Sequence, residues 1–259
     1  MTERAIAFER LATIMDELRE KCPWDMKQTI ESLRHLTIEE TYELTDAIVQ
    51  QDMSSIKKEL GDLMLHLLFY AKIAEEKKDF TITDVLNSQC EKLIFRHPHI
   101  YGDVIVKDEE EVKRNWEQLK LKEGNTSVLG GVPSSLPSLI KSMRIQEKAR
   151  GVGFDWDKPE QVWEKVEEEI GEFKQALHDK NQKEAESEFG DVLFSLINYA
   201  RFHNINPDEA LERTNKKFIY RFQYLEQAVN KQGKKLSDMS LEEMDKYWNE
   251  AKQNEKGFL

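Results

Sequence analysis

Apolar residues recur every three or four positions along most of this chain, the spacing that places them on one face of an α-helix. The pattern predicts helices over residues 3–20, 28–47, 53–78, 85–95, 108–122, 138–150, 182–203, 208–230 and 240–254, and another beginning at Pro159. In the third helix a wide stripe is expected to be buried, formed by Leu60, Leu63, Met64, Leu67, Leu68 and Ala71. Alternation typical of strands is confined to residues 103–106. The sequence therefore predicts an all-α fold.

Cap and turn residues mark where several of these helices begin and end. Thr83 and Asp84 are expected to cap the helix over 85–95, because their side chains can accept hydrogen bonds from the first turn. Asn206-Pro207 is a good cap and first residue for the helix over 208–230. Residues 96–103 contain a proline and a glycine, so we expect a loop there.

The most loop-like stretch is residues 123–137, which hold three of the eleven glycines and two of the six prolines. We expect it to be a linker. The order of elements repeats on its far side, so the prediction is two tandem helical repeats, an N-terminal one over 1–122 and a C-terminal one over 138–259.

One pattern of acidic residues is written twice. Each copy reads Glu-Glu-x-x-Glu, fifteen further residues, and Glu-x-x-Asp, with the copies 129 positions apart (169 minus 40). The first copy comprises Glu39, Glu40, Glu43, Glu59 and Asp62, and the second Glu168, Glu169, Glu172, Glu188 and Asp191. A solvated acidic face is the ordinary alternative for one copy, but such a face has no reason to keep its spacing in a second.

The spacing of these carboxylates predicts a metal site in each repeat. Residues three or four apart share a helical face, so Glu40 stacks on Glu43, and Glu59 on Asp62. If the two helices pair antiparallel across a turn at residues 51–54, the two acidic patches face each other. Four carboxylates placed so closely repel and raise each other's pKa. A hard divalent cation removes that cost, and Mg²⁺ prefers oxygen ligands.

Composition narrows the function classes. A formal net charge of −12 argues against binding to nucleic acid through the phosphate backbone. The two cysteines, Cys22 and Cys90, have no zinc-type spacing and suggest no disulfide framework, so a cytoplasmic setting is expected. No apolar run is long enough for a membrane span.

Other candidate residues each have a functional and a structural interpretation. Lys217 and Arg221, four apart on one helical face, either contact phosphate oxygens or are surface cations. Trp248 either stacks on a base or belongs to the core. His97 and His99 are either ligands or structural residues. No phosphate-binding glycine loop occurs, and no serine, cysteine or threonine stands out as a nucleophile, so the chemistry indicated is metal-assisted attack by water.

The doubled acidic pattern resembles that of the MazG nucleoside triphosphate pyrophosphohydrolases, in the all-α pyrophosphatase superfamily that also holds the dimeric dUTPases. Further similarity to the first repeat of two-repeat MazG proteins lies in Cys22-Pro23-Trp24-Asp25, Gln28-Thr29 and Arg96-His97-Pro98-His99. The resemblance implies hydrolysis of nucleoside or deoxynucleoside triphosphates to the monophosphate and pyrophosphate, with water attacking the α-phosphorus. It also implies a homodimer and Mg²⁺, for which Mn²⁺ could substitute.

The resemblance also assigns roles to residues. The implied metal ligands are Glu169, Glu172, Glu188 and Asp191 in the second repeat, and Glu40, Glu43, Glu59 and Asp62 in the first. The resemblance places Glu168 and Glu39 nearest to the attacking water or the nucleotide, which they would assist. The implied nucleotide-binding residues are Lys165, Glu168, Lys217, Arg221 and Trp248.

The repeats differ two residues before the paired cations, where Asn215 in the second corresponds to Cys90 in the first. A cysteine is a poor replacement for an amide that can donate and accept. We therefore expect the second repeat to be the main active site.

Two other classes of protein stay open as alternatives. A di-metal carboxylate bundle of the ferritin-like type also gathers glutamates, but it uses Glu-x-x-His pairs, and no histidine here has a glutamate three residues before it. A non-catalytic helical interaction module predicts no turnover.

Overall fold

The computed structural model describes residues 1–108, 111–112, 115–116, 119 and 127–254. Regular secondary structure in these ranges is entirely helical, which confirms the predicted all-α fold. The chain divides into two compact units, Met1–Val112 and Lys113–Leu259. The linker over 123–137 and the repeat boundaries drawn from it stay predictions.

The first unit is built on three long helices that pack around one core. Its described helices are α1 (Glu3–Lys21), α2 (Ile30–Val49), α3 (Met53–Lys77), α4 (Ile82–Arg96) and the short α5 (Pro98–Tyr101). A single 3₁₀ turn, Asp25–Lys27, lies between α1 and α2. The core consists of Met15, Leu33, Leu68, Phe69 and Ile73, so α1, α2 and α3 each contribute to it.

The second unit repeats this plan with a long helical hairpin. Its described helices are α6 (Ser138–Gly151), α7 (Pro159–His178), α8 (Gln182–Phe202), α9 (Pro207–Lys231) and α10 (Leu241–Asn254). A 3₁₀ turn, Leu236–Asp238, lies between α9 and α10. The most deeply buried side chains include Val162, Val166, Val229 and Ala251. In this unit α7 packs mainly against α8, and α9 packs mainly against α10.

The turn that closes the main hairpin is the same in both units. Gln51 follows α2 and Lys180 follows α7, and both have φ of 56°, a left-handed conformation that ends a helix without a glycine. The next residue, Asp52 or Asn181, then caps the following helix with its side chain. This turn sets the register of α2 against α3 and of α7 against α8, and so fixes which carboxylates face each other.

Helix positions agree with the predicted ones to within three residues at either end, for those wholly inside the described ranges. The predicted helix over 108–122 lies mostly outside the described residues, although Trp116 is described and is half-buried. Asn206 caps α9 and Pro207 is its first residue, as predicted.

Two local predictions in the first unit were wrong. Residues 98–101 are helical rather than a loop, because Pro98 occupies the first position of α5, where its missing N–H costs nothing. The cap of α4 is Thr81 rather than Thr83. Thr81 exchanges hydrogen bonds with Asp84, in a capping box that starts the helix earlier.

The stripe expected to be buried on α3 is buried only in part. Leu68 and Ala71 are each 3% exposed, but Leu60, Met64 and Leu67 are 53%, 41% and 57% exposed. The helical period placed these residues on one broad apolar face, and the first unit covers only one edge of it. In the described part of the chain, every helix is too short or too rich in charged residues to be a candidate membrane span.

Candidate functional site

The first cluster consists of Glu40, Glu43 and Glu59, and one carboxylate oxygen of each lies within 4.8 Å of the others. Glu40 and Glu43 are one turn apart on α2, and Glu59 faces them from α3. The hairpin turn at Gln51 brings the two helices together in this register. The two acidic patches therefore meet, as the sequence spacing predicted.

The carboxylates of the first cluster repel one another. Burial raises the pKa of Glu40, and the nearby charges of Asp62, Glu43 and Glu59 raise it further. Glu59 is 5% exposed, and its Oε2 atom is buried without a hydrogen-bond partner. A buried carboxylate oxygen left unsatisfied is costly, and a cation between the helices would remove that cost.

The second cluster consists of Glu169, Glu172 and Glu188, again with ligand atoms within 4.8 Å of one another. Glu169 and Glu172 lie on α7 and Glu188 on α8, at positions equivalent to those of the first cluster. Loss of solvation raises the pKa of Glu172, followed by the charges of Glu169 and Glu188 and a hydrogen bond to Glu169. Each repeat therefore gathers the same three carboxylates.

The remaining acidic residues of the pattern lie at the edges of these clusters. Asp62 faces the first cluster, since its charge acts on Glu40 and its Oδ2 lies 3.8 Å from Nζ of Lys58. Asp191 is exposed and lies outside the group of three in the second. Asp62 and Asp191 as metal ligands thus stay predictions. Glu39 is exposed on α2.

A lysine accompanies the second cluster on its own helix. Nζ of Lys165 lies 2.7 Å from Oε1 of Glu169 and 3.0 Å from Oε1 of Glu168. Hydrogen bonds to these two carboxylates, Glu169 first, raise the pKa of Lys165, which keeps it protonated. Glu168 itself is exposed, so its carboxylate is accessible to a ligand approaching the cluster.

Two of the predicted nucleotide-binding residues, Arg221 and Trp248, come together on α9 and α10, whereas Lys165 and Glu168 lie on α7. The guanidinium of Arg221 lies 5.6 Å from the ring centre of Trp248, and Phe218 meets the same ring edge-on at 5.0 Å. Lys217 is half-buried on α9, one turn before Arg221. Trp248 is half-buried rather than part of the deep core, so its ring is partly accessible for stacking.

Of the two histidines in the segment predicted to be a loop, His97 has a structural role. His97 caps the C-terminus of α4, and its Nδ1 donates to the carbonyl of Leu93 at 2.7 Å. The rings of His97 and His99 lie 5.6 Å apart. The two carboxylate clusters found in the described part of the chain contain no histidine, so a di-iron site with Glu-x-x-His pairs has no support there.

Two features of the site were not predicted. The first is Lys58, whose Nζ lies within ion-pair distance of three carboxylates at the first cluster. The second is a hydrogen-bonded group formed by Thr37, His66 and Tyr70 between α2 and α3. Lys58 directly precedes Glu59, which could have indicated it, but nothing in the sequence pairs Thr37 with a histidine 29 positions away.

Two segments of the chain, residues 28–101 and 157–225, match the family model described as the MazG nucleotide pyrophosphohydrolase domain. Each contains one carboxylate cluster. Three relatives extend the similarity over nearly the whole chain.

The chain is 44% identical over 257 residues to the nucleoside triphosphate pyrophosphohydrolase/pyrophosphatase MazG of Thermotoga maritima, covering 97% of this chain and 98% of that protein. It is 48% identical over 258 residues to the uncharacterized protein YabN of Bacillus subtilis, covering 96% of this chain and 52% of YabN. It is 37% identical over 259 residues to the nucleoside triphosphate pyrophosphohydrolase of Escherichia coli K12, covering 96% and 98%.

Proposed function

This chain belongs to the MazG nucleotide pyrophosphohydrolase family, as its sequence predicted, and we propose that it hydrolyses nucleoside and deoxynucleoside triphosphates to the monophosphate and pyrophosphate. In this proposal water attacks the α-phosphorus and pyrophosphate leaves. The observation that carries it is the double clustering of three carboxylates at the same register in both repeats. A surface that merely keeps the protein in solution has no need of that geometry.

The donor set fits a hard divalent cation. Each cluster offers carboxylate oxygens alone, the ligand type that Mg²⁺ prefers, and Oε2 of Glu59 is buried without a partner. The proposed ligands are Glu169, Glu172, Glu188 and Asp191, with Glu40, Glu43, Glu59 and Asp62 in the first repeat. When bound there, Mg²⁺, or Mn²⁺ in its place, supplies positive charge to the triphosphate oxygens.

The chain's own residues then orient the reactants. Glu168 is exposed beside the cluster and accepts a proton from the attacking water at its free carboxylate oxygen. Lys165 holds Glu168 and Glu169 in place through contacts of 3.0 and 2.7 Å. Arg221 and Lys217 receive phosphate oxygens, because a guanidinium can donate two parallel hydrogen bonds. Trp248 stacks on the base.

The second repeat is proposed as the main catalyst. Asn215 donates a hydrogen bond to Oε2 of Glu212 at 3.3 Å, so its amide is held on α9 two residues before Lys217. The corresponding residue in the first repeat is Cys90, an exposed thiol with weak hydrogen-bonding capacity. The first site is thereby weaker, differently selective or structural.

A homodimer is part of the same proposal. Both units expose apolar side chains at matching positions of the helix that carries Glu-x-x-Asp. In α3 these are Leu60, Met64 and Leu67, and in α8 they are Phe189, Leu193 and Leu196, with exposed fractions between 39% and 57%. Apolar stripes of this kind are typical of helices that pack against a partner. We propose a second copy of the chain as that partner, and the cytoplasm as the place of action.

A product analysis tests the function. The purified chain is mixed with each of the eight common nucleoside and deoxynucleoside triphosphates, with Mg²⁺ and then with a chelator, and products are separated. Monophosphate plus pyrophosphate, lost on chelation, is the expected result. Diphosphate plus orthophosphate would mean that a different bond is cleaved, and absence of turnover would favour a non-catalytic helical module.

A further inference from the structure

A lysine side chain bridges the two helices of the first cluster. Nζ of Lys58 lies 3.0 Å from Oε1 of Glu59, 3.8 Å from Oδ2 of Asp62 and 3.9 Å from Oε2 of Glu43. Glu59 and Asp62 belong to α3, whereas Glu43 belongs to α2. The ammonium group therefore lies in the gap between the helices, close to two of the three clustered carboxylates.

The second cluster has no lysine at the matching position. Its counterpart is Ser187, an exposed residue of α8 (58 plus 129). The lysine that accompanies the second cluster is Lys165, which contacts Glu168 and Glu169. Both of these belong to the same helix as Lys165, so its contacts leave the carboxylates of α8 untouched. The two clusters thus have equivalent carboxylates. They differ in which of those carboxylates the neighbouring lysine contacts.

Lys58 and a divalent cation compete for the same oxygens. Oε2 of Glu59 stays buried and unpaired even with Lys58 in place, so the lysine only partly satisfies the cluster. A metal bound by Glu43 and Glu59 would lie within a few ångströms of Nζ, where like charges repel strongly. The Lys58 side chain is 66% exposed, so it can swing into solvent and release the carboxylates.

We propose that Lys58 is a built-in competitor cation that lowers the affinity of the first cluster for divalent metal relative to the second. The inference rests on the proposed metal-dependent function and deepens it, because it names the residue that makes the two sites unequal. In the absence of metal the ammonium group offsets repulsion among Glu43, Glu59 and Asp62. When metal binds, the ammonium group must leave carboxylates of both helices, whereas Lys165 at the second cluster contacts carboxylates of α7 alone.

Metal binding to each cluster can be measured separately in the full chain. Glu172→Gln with Glu188→Gln disables the second cluster and leaves the first, and Glu40→Gln with Glu43→Gln does the reverse. Free Mn²⁺ is followed by electron paramagnetic resonance during titration, and Mg²⁺ is added as competitor. In the first background Lys58→Ser is introduced, which copies the residue of the second repeat. In the other background the reciprocal change, Ser187→Lys, is introduced.

The matched control is Lys57→Ser. Lys57 is an exposed neighbour about 100° round the helix from Lys58, so its loss changes the net charge equally without emptying the gap. We expect Lys58→Ser to tighten Mn²⁺ binding by about three- to tenfold and Lys57→Ser to change it by less than about twofold. Ser187→Lys should weaken the second cluster by a similar factor. Equal affinities for Lys58→Ser and Lys57→Ser would overturn the proposal.

Thermal unfolding of the same proteins separates this role from a merely structural one. A structural lysine would stabilise the chain equally with and without Mn²⁺. If Lys58 competes with metal, Lys58→Ser should lower the unfolding temperature in chelator. It should also enlarge the increase in unfolding temperature that saturating Mn²⁺ produces. If Mn²⁺ binds neither cluster of the unsubstituted backgrounds, the proposed function fails. If it binds both and Lys58→Ser changes neither affinity nor the thermal shift, only this inference fails.

Discussion

The hydroxyl oxygen of Thr37 lies 2.8 Å from Nδ1 of His66 and 2.7 Å from the hydroxyl of Tyr70. Thr37 also contacts the carbonyl of Leu33 at 3.1 Å, and a carbonyl can only accept. All three bonds can coexist only if Thr37 donates to Leu33 while His66 and Tyr70 donate to Thr37. This arrangement requires a proton on Nδ1 of His66, which lies between the two helices of the first cluster.

The buried position of His66 predicts a pH dependence of stability. Burial lowers the pKa of His66 from its ordinary 6.5, and the charge of Asp62 only partly opposes this effect. As the pH falls below about 6.5, the unfolded chain binds a proton before the native chain does, so the free energy of unfolding decreases. The decrease continues until the lowered native pKa is passed, with a slope of up to about 1.4 kcal/mol per pH unit.

Urea unfolding between pH 7.5 and 5 checks this expectation. His66→Asn keeps a donor near Thr37 but does not titrate, so its stability should fall less steeply over that range than that of the unsubstituted protein. Parallel curves for the two proteins would show that His66 does not carry the effect.

The unequal repeats predict unequal effects of matched substitutions. Glu172→Ala removes a proposed ligand from the second cluster and should lower kcat on the order of 100-fold or more. Mutating residues that only hydrogen-bond to metal ligands already lowers metal affinity or activity about 10- to 100-fold. Glu43→Ala, the same change in the first cluster, should leave at least half of the activity. Steady-state pyrophosphate release measures both. If Glu43→Ala removes the activity and Glu172→Ala does not, the assignment of the main site is reversed.

Helix positions and the carboxylate register could be predicted because both depend on local spacing. A repeat of three and four residues specifies a helical face, and a short turn between two helices leaves little freedom in how they pair. Gln51 and Lys180 adopt a left-handed conformation that a glycine would have indicated, but neither residue is a glycine. The duplicated spacing around them nevertheless indicated the hairpin.

Features that depend on packing across helices could not be predicted. The pairing of Thr37 with His66 joins residues of different helices, and neither residue has a distinctive neighbour. Exposure of Leu60 and Leu67 follows from how much of α3 the first unit covers, which an apolar stripe does not reveal. Lys58 had the appearance of an ordinary surface lysine until the hairpin placed Glu43 opposite it.

A mostly buried ion pair of the second unit predicts a large loss of stability when one of its charges is removed. Arg201 donates from Nη1 to Oδ2 of Asp155 at 2.9 Å and from Nε to Oδ1 of Asn198 at 3.0 Å, and its guanidinium lies 4.6 Å from the ring centre of Phe202. The side chains of Arg201 and Asp155 are 16% and 18% exposed. Arg201→Ala leaves Asp155 without its main partner and should cost about 2–3 kcal/mol of stability.

The repeat supplies the control for this measurement. Lys72 occupies the matching position in the first unit and contacts Asp16 at 2.8 Å, but Asp16 is 57% exposed. Lys72→Ala should therefore cost less than about 1 kcal/mol. Calorimetry measures the free energy of unfolding of both variants. Equal losses of stability would mean that burial of the Arg201–Asp155 pair does not determine how much the pair stabilises the protein.

The contact of Arg221 with Trp248 predicts a defect in nucleotide binding. The guanidinium lies 5.6 Å from the ring centre, so each side chain restrains the other between α9 and α10. Arg221→Lys keeps the charge but loses the two parallel donors that a phosphate accepts. KM for a triphosphate should rise about tenfold, equivalent to about 1.4 kcal/mol, with a smaller change in kcat.

Trp248→Leu should raise KM to a similar degree by removing the aromatic surface for the base, and Trp248→Phe should restore part of it. Tyr247→Phe is the matched control, because the hydroxyl of Tyr247 contacts Gln232 at 3.0 Å and takes no proposed part in nucleotide binding. Steady-state kinetics with one triphosphate compares the four variants. If kcat falls while KM stays constant, Arg221 and Trp248 act on the transition state or on folding rather than on ground-state nucleotide binding.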